Sequence, residues 1–375
     1  MTTTHERYRI LIPTATLRRA SDYLAQWQRG EVSPGARLRA VLGAAPPAAL
    51  SPLDLLGGLF DTRVPRLFAE SEVYGDGRDW TLTELGLLGD CSVAVPVTVF
   101  DNARHRAPAV HAAPFAATLV FTAGALLRNG QQLIPADWPE LTTADGRFSP
   151  AGYYALYERR LLAALRYINE HATRPRTALV TVPGLGCGQF AGPFQGQLGE
   201  HLRAVLVRLL DTHGASLPNL RAIYFDPYSE CENARSMHHG ITLLVRPLTA
   251  PGNAQKSQLC RPADYTEAGD DFGECALYSL VAWDHVSWPG NDFYAGLRAT
   301  DDGVKAAATN AMSSVTGVAG RYDPVAHHFL PPSEYGDWGE VVSAQQRSHG
   351  LRLWRPEAVW MPDDQPQRVW GQSKN

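Results

Sequence analysis

Four carboxylates, Asp284, Asp292, Asp301 and Asp302, crowd one stretch, AWDHVSWPGNDFYAGLRATDDGVKAAATNAM, from Ala282 to Met312. Carboxylates brought together can stabilise developing positive charge, serve as a base towards water, or raise one another's pKa until one keeps its proton. Arg298 is the one permanent cation among them before Lys305. Each also has an ordinary structural reading: an N-cap at Asp301 or Asp302, a turn residue at Asp292, an amide-bonded strand end at Asp284. Taken jointly, with Asn291 between them, they favour a polar site.

A second stretch, VPGLGCGQFAGPF from Val182 to Phe194, sets glycines between an apolar run and a helical pattern. Glycine at a strand-to-helix junction permits positive φ and close backbone approach, and free N–H groups there make an anion site. A phosphate is the ligand this chemistry suits. A tight turn with no ligand satisfies the same residues, so the loop alone does not decide.

The elements that must position these loops read as α/β. Short apolar runs predict strands over 92–100, 116–122, 178–182, 222–225, 241–245 and 277–283, and continuous apolar character marks strands covered on both faces. Helices are predicted over 150–170, 195–210 and 302–315, the first opened by Ser149-Pro150 and carrying Tyr154, Tyr157, Leu161 and Leu165 as its apolar stripe. The carboxyl ends of such strands form the usual ligand crevice. Residues 1–90 read as a mostly helical extension packed on a core over 91–375, with helices over 16–28, 37–42 and 51–56. The polar tail after Pro362 reads as loose.

Composition narrows the function classes. At 375 residues and 45% hydrophobic the chain buries a large core, and 34 basic against 38 acidic residues give no basic surplus for nucleic acid or an anionic membrane. Neither a signal-peptide pattern nor a bilayer-spanning apolar run is present, so a cytoplasmic protein is expected, or one delivered to a host cytosol. Cys91, Cys187, Cys231, Cys260 and Cys275 are scattered and read as thiols; Cys231, Cys260 and Cys275 with His238 and His239 lack zinc-site spacing. No cofactor is implied, although clustered aspartates leave Mg²⁺ open.

The two loops together resemble the macrodomain ADP-ribose-binding proteins, and more closely the MavL-type ADP-ribosylhydrolases among bacterial effectors. Gly184-Leu185-Gly186-Cys187-Gly188-Gln189-Phe190 looks like a macrodomain phosphate loop, and its Gly-Cys-Gly-x-Phe core is similar to one in poly(ADP-ribose) glycohydrolases. The Pro-Gly-Asn-Asp-Phe turn and the Asp-Asp-Gly-Val-Lys-Ala-Ala-Ala-Thr helix start resemble the MavL-type catalytic segment. The resemblance implies a three-layer α/β/α sandwich with a mixed sheet. It carries catalytic roles onto Asp284, Asp292 and Asp302, with Asn291, Phe293 and Asp301 beside the ligand. In common macrodomains the Asn-bearing loop precedes the phosphate loop; here Asn291 follows Gly186, which implies a rearranged or permuted strand order.

On this resemblance the chain is expected to remove ADP-ribose from modified protein. The pyrophosphate would lie on the amides of Gly186 to Phe190 and the following helix dipole, with the distal ribose facing the aspartates. Arginine linkage is favoured, Asp292 orienting the ribose hydroxyls or activating water, Asp284 holding the guanidinium or the water, and Asp302 anchoring the ribose. Ubiquitin bearing ADP-ribosyl-arginine is raised as a substrate by the resemblance, with no feature of the sequence specifying it. The alternatives are a reader that binds ADP-ribose without cleaving it and a hydrolase of a free ADP-ribose derivative. Trp288 and Phe293 divide between packing and flanking the ribose; Asp226, in an Asp-Pro turn, is a weaker candidate for the adenine.

Overall fold

The computed structural model describes residues 7–172 and 176–362, so the tail read as loose lies outside the described residues. The strands are β1 (Arg9–Leu11), β2 (Ser92–Asp101), β3 (Val110–Ala123), β4 (Ala178–Pro183), β5 (Leu220–Asp226), β6 (Ala234–His238), β7 (Ile241–Val245), β8 (Ala276–Trp283), β9 (Arg321–Asp323), β10 (His328–Leu330) and β11 (Val359–Trp360). Nine of them form one mixed sheet in the order β11-β1-β2-β3-β8-β4-β5-β7-β6, while β9 and β10 pair separately. Strands β3, β8, β4, β5 and β7 run parallel. Strand β8 fills the place between β3 and β4, although β4 to β7 precede it in the chain. That placement brings the loops after β4 and β8 out side by side at the carboxyl end of the sheet.

Helices cover both faces. The N-terminal region supplies α1 (Thr14–Gln28), α2 (Ala36–Leu42), α3 (Pro52–Asp61), α4 (Ala69–Glu72) and α5 (Leu82–Asp90). Then come α6 (Trp138–Leu141), α7 (Pro150–His171), α8 (Leu198–His213), α9 (Asp301–Ala307), α10 (Ala311–Thr316) and α11 (Trp338–His349). The sheet separates two cores. Val93, Val95, Leu179, Leu277 and Val281 face the core shared with α1, α3, α5 and α9 to α11. Ala94, Val180, Val182 and Leu280 face the opposite core, built with α7 and α8. Every residue of β4 is buried, as its unbroken apolar run predicts.

Three differences from the sequence reading have local causes. The N-terminal region adds β1 to the sheet, paired with β2 and β11, besides its helices. The helix read over 195–210 begins at Leu198, after a 3-10 segment over Gln189–Phe194 broken at Gly192, φ 53°. A Cβ on Gly192 would stand 2.3 Å from the Leu127 carbonyl, so that glycine lets two loops touch. The helix read over 302–315 is two, because the chain between them bonds to β2: the Ala308 carbonyl accepts from the Phe100 amide and Asn310 Oδ1 from the Thr98 amide at 2.6 Å. Among the described residues no helix is long and apolar enough to cross a membrane.

Candidate functional site

A cavity of about 650 Å³ opens at the carboxyl ends of the parallel strands. That volume is ordinary for a small-molecule site. The loop after β4 supplies Gly184, Gly186, Cys187, Gly188, Gln189 and Phe190, and the loops around β8 and α9 supply Asp284, Asn291, Asp301 and Asp302. The two stretches singled out in the sequence thus meet across one space.

The glycine loop is held by its neighbours so that its amides stay available. Tyr157 Oη donates to the Leu185 carbonyl at 2.5 Å and accepts from the Ala125 amide at 3.0 Å, so one tyrosine of the α7 stripe braces the loop. Gly124 lets the end of β3 pass against it, since a Cβ there would lie 2.2 Å from the Gly186 nitrogen. Gly186 takes φ 72°, which glycine adopts without strain. The Cys187 amide turns back to the Gly184 carbonyl at 3.0 Å. Among the described residues no protein acceptor meets the amides of Gly186 and Gly188, which suits an anionic ligand. The α-helix dipole expected to assist begins only at Leu198, so backbone N–H groups carry that role. Leu185 is fully buried and outside the lining. Burial pushes the Cys187 thiol well above its ordinary value, so it holds no ready thiolate.

The aspartates divide into distinct environments. Asp284 Oδ1 accepts from the amides of Val286 and Ser287 at 2.8 and 2.7 Å, and Oδ2 accepts from Asn291 Nδ2 at 2.9 Å. Burial outweighs these bonds and raises its pKa to about 6. Asp302 Oδ1 accepts from the Gly290 amide at 2.6 Å, while its buried Oδ2 has no partner. Burial, then the nearby Asp292 and Asp284 charges, hold Asp302 well above the usual carboxylate range. Asp301 Oδ2 accepts from the Ala282 amide at 2.8 Å and from Lys305 Nζ at 3.0 Å. Thr300, rather than Asp301 or Asp302, is the N-cap of α9, its hydroxyl accepting from the Gly303 amide at 3.0 Å.

Asp292 is turned away from the cavity lining. Its Oδ2 accepts from the amides of Ala299 and Thr300 at 2.8 and 3.2 Å, and its Oδ1 accepts from the Thr300 hydroxyl. Gly303 makes this possible, because a Cβ there would lie 2.2 Å from Asp292 Oδ1. The side chain therefore ties the turn to the start of α9. Phe293 is likewise outside the lining: it is 2% exposed and its ring lies 5.5 Å from that of His328. Trp288 packs too, with Nε1 donating to the Arg63 carbonyl at 3.1 Å.

Other lining residues left no signal in the sequence. Phe68 and Glu70 come from the N-terminal region, Arg104 and His105 from the β2–β3 connection, and Ser257 and Gln258 from the segment after β7. Asp226, weighed for the adenine, also lines the cavity, with Oδ1 accepting from the Tyr228 and Leu248 amides at 2.8 Å each. Beneath the site lies an ionic layer. Arg160 Nη2 and Nη1 meet the two oxygens of Asp137 at 2.7 and 3.0 Å, and Nη1 also donates to the Gly124 carbonyl at 3.0 Å. Asp137 Oδ2 accepts from the Leu126 amide at 2.8 Å and lies 3.3 Å from His285 Nε2. The signal for this layer was Arg160 standing between Tyr157 and Leu161 on an otherwise apolar stripe.

Among the described residues no group of three or more His, Cys, Asp or Glu side chains is arranged to hold a metal ion. The five cysteines are free. A search of curated proteins finds no significant match. A family model described as "Macrodomain effector MavL" matches residues 8–335, which takes in the N-terminal helices as well as both loops. Membership of that family implies ADP-ribose binding or hydrolysis at the general level. With its nine-stranded mixed sheet, its helices on both faces and this match over most of its length, the chain belongs to the MavL macrodomain effector family.

Proposed function

We propose that this chain is a hydrolase that removes ADP-ribose from modified protein by cleaving the N-glycosidic bond of ADP-ribosyl-arginine. The observation that carries the reading is the pair of buried carboxylates at one end of the cavity: Asp284, fixed by three hydrogen bonds, and Asp302, whose Oδ2 is buried with no protein partner. A module that only reads ADP-ribose needs the amide cradle and gains nothing from such a pair.

The pyrophosphate lies on the amides of Gly186 and Gly188, which directs the distal ribose to the aspartates. Asp302, whose proton burial and the nearby Asp292 and Asp284 charges hold more tightly than usual, faces a ribose hydroxyl. Asp284 is ionised above about pH 6, and its Oδ2, which accepts a single bond, takes the proton of the attacking water. The water oxygen bonds the anomeric carbon as the carbon–nitrogen bond breaks. The bonding pair leaves with the guanidine nitrogen, and the proton on Asp284 passes to the guanidine, so arginine returns as its cation. Asp284, still ionised while the carbon–nitrogen bond opens ahead of proton transfer, stabilises the positive charge that develops on the ribose in an oxocarbenium-like transition state. Asp292 keeps the loop in place.

The test is release of ADP-ribose from proteins modified on arginine, serine or carboxylate side chains, with ubiquitin among the arginine-modified substrates, by wild type and Asp284→Asn, alongside calorimetry with free ADP-ribose. Release from arginine, lost by about a hundredfold or more in Asp284→Asn while ADP-ribose still binds, is expected. Tight binding without release from any linkage would leave a reader. Turnover of small ADP-ribose derivatives alone would point to a free metabolite.

A further inference from the structure

We propose that Glu70 is the specificity-determining residue of the leaving-group subsite, receiving the cationic side chain of the modified arginine. The inference rests on the arginine-hydrolase reading and extends it to a region that carried no functional signal in the sequence.

The segment from Arg63 to Glu70 is fastened along the aspartate loop. Val64 donates to the Val286 carbonyl at 3.0 Å and accepts from the Trp288 amide at 2.8 Å. Asn291 then clasps Leu67, its Oδ1 accepting from the Leu67 amide and its Nδ2 donating to the Leu67 carbonyl, both at 3.1 Å. The same Nδ2 donates to Asp284 Oδ2 at 2.9 Å, so the strap is joined to the proposed base through one side chain. Beyond Leu67, Phe68 and Glu70 line the cavity while Ala69 between them is buried in the core. The Gly130 amide donates to the Glu70 carbonyl at 2.7 Å and fixes the far end.

Charge decides which leaving group this wall accepts. Six carboxylates line the cavity (Glu70, Asp226, Glu230, Asp284, Asp301 and Asp302) against one arginine, Arg104. The Arg104 carbonyl accepts from Arg298, and the neighbouring Asn102 carbonyl accepts from Ser257. Arg63, behind Asp284, is outside the lining and donates to the carbonyls of Ser287 and Leu88. Arg128 is held on Gln189 with its charge acting on Glu70, and Arg66 stands over the Phe68 ring at 5.7 Å. Carboxylates nevertheless outnumber cations along the lining that Glu70 joins, which favours a cationic leaving group by charge.

Because the guanidine takes the bonding pair and loses its charge as the bond breaks, a carboxylate on its cation holds the substrate at least as strongly as the transition state, so it serves affinity and does not speed turnover. Glu70→Gln is therefore expected to raise KM for ADP-ribosyl-arginine about tenfold or more while kcat changes less than about threefold. The Kd of free ADP-ribose, which lacks the cation, should stay within about twofold, and Glu70→Asp should recover part of the loss. An unchanged KM in Glu70→Gln would overturn the subsite and leave the hydrolase reading standing. If wild type proves unable to cleave the arginine linkage, calorimetry with intact ADP-ribosyl-arginine decides: a preference over ADP-ribose that vanishes in Glu70→Gln supports the subsite although the hydrolase reading falls, and a preference independent of Glu70 overturns it.

Discussion

Asp137 and Asp302 are both buried carboxylates, and their surroundings drive them in opposite directions. Burial alone would push both up. At Asp137 the Arg160 guanidinium and His285 outweigh it and hold the group well below the usual range. At Asp302 the near charges, Asp292 and Asp284, have the same sign and add to burial. The ionic layer thus satisfies its charges within the fold, joining α7 to the end of β3, whereas the aspartate cluster leaves a carboxyl oxygen with no partner. A paired buried charge fastens structure. An unpaired one is tolerated where a ligand completes it.

The sharpest way to break the comparison is to strip the layer of its cation. Arg160→Met leaves Asp137 and Asp90 facing a buried space without the guanidinium that meets both, and is expected to lower stability by about 3–5 kcal/mol. Denaturant titration reads this directly; a loss below about 1 kcal/mol would show that the layer does not fasten the fold.

Next in size is a pH effect at Asp284. Its pKa of about 6 lies above the ordinary 3.8, so the folded state binds the proton more tightly than the unfolded chain. Stability contributed by that proton is present below about pH 4 and is lost as pH rises through about 6, an effect of about 3 kcal/mol. Asp284→Asn carries no such titration. Its stability relative to wild type should therefore improve between pH 4 and pH 8, whatever constant cost follows from turning an amide towards Asn291. Activity should show an acid limb near pH 6, because the proposed base works only when ionised. A flat relative stability across that window would remove the burial argument for this site.

Asp302→Asn should have the reverse character of Arg160→Met. Asn keeps an oxygen for the Gly290 amide and cannot ionise beside Asp292 and Asp284, so stability is expected to hold at neutral pH and to exceed that of wild type as pH rises further, while the catalytic efficiency falls about tenfold or more. Asn291→Ala sits between the two regimes. It releases Leu67 at both its amide and its carbonyl and frees Asp284 Oδ2, for a loss of about 1–3 kcal/mol, and protease sensitivity near Arg63 to Glu70 should rise with it.

How far the sequence revealed these features depends on the range of the interactions. The parallel strands were legible because burial on both faces forces continuous apolar runs, as in β4 and β8. The glycine and aspartate loops were legible because backbone approach and clustered charge restrict residue type. Strand β1, with 3 residues, offers too short a pattern, and its pairing with β11 joins the two ends of the described chain. The strap through Phe68 and Glu70 reaches the site by bonds to Asn291 and Val286, far away in sequence, so local composition held no trace of it. Which aspartate meets the cavity was also invisible. Asp292 and Asp302 are alike in the sequence and differ only in what each finds nearby, the Ala299 and Thr300 amides for one and a single amide at Gly290 for the other.

The finest test of the comparison is Asp292→Asn, where a small effect is the informative one. If Asp292 ties the loop, an amide replaces it well: the side-chain oxygen can still accept from Ala299 and Thr300, and the new NH₂ can donate to the Thr300 hydroxyl. Activity at the optimum should then fall by no more than about threefold, against a far larger loss for Asp284→Asn. The charge, however, disappears. Asp292 is the largest electrostatic cause, after burial, of the raised Asp302 pKa, so its removal should lower that pKa. If Asp302 works in its protonated form, the alkaline limb of the pH–rate profile must move to lower pH in Asp292→Asn. A large loss at every pH, with folding and ADP-ribose affinity intact, would instead return Asp292 to the chemistry and require its loop to turn towards the ligand.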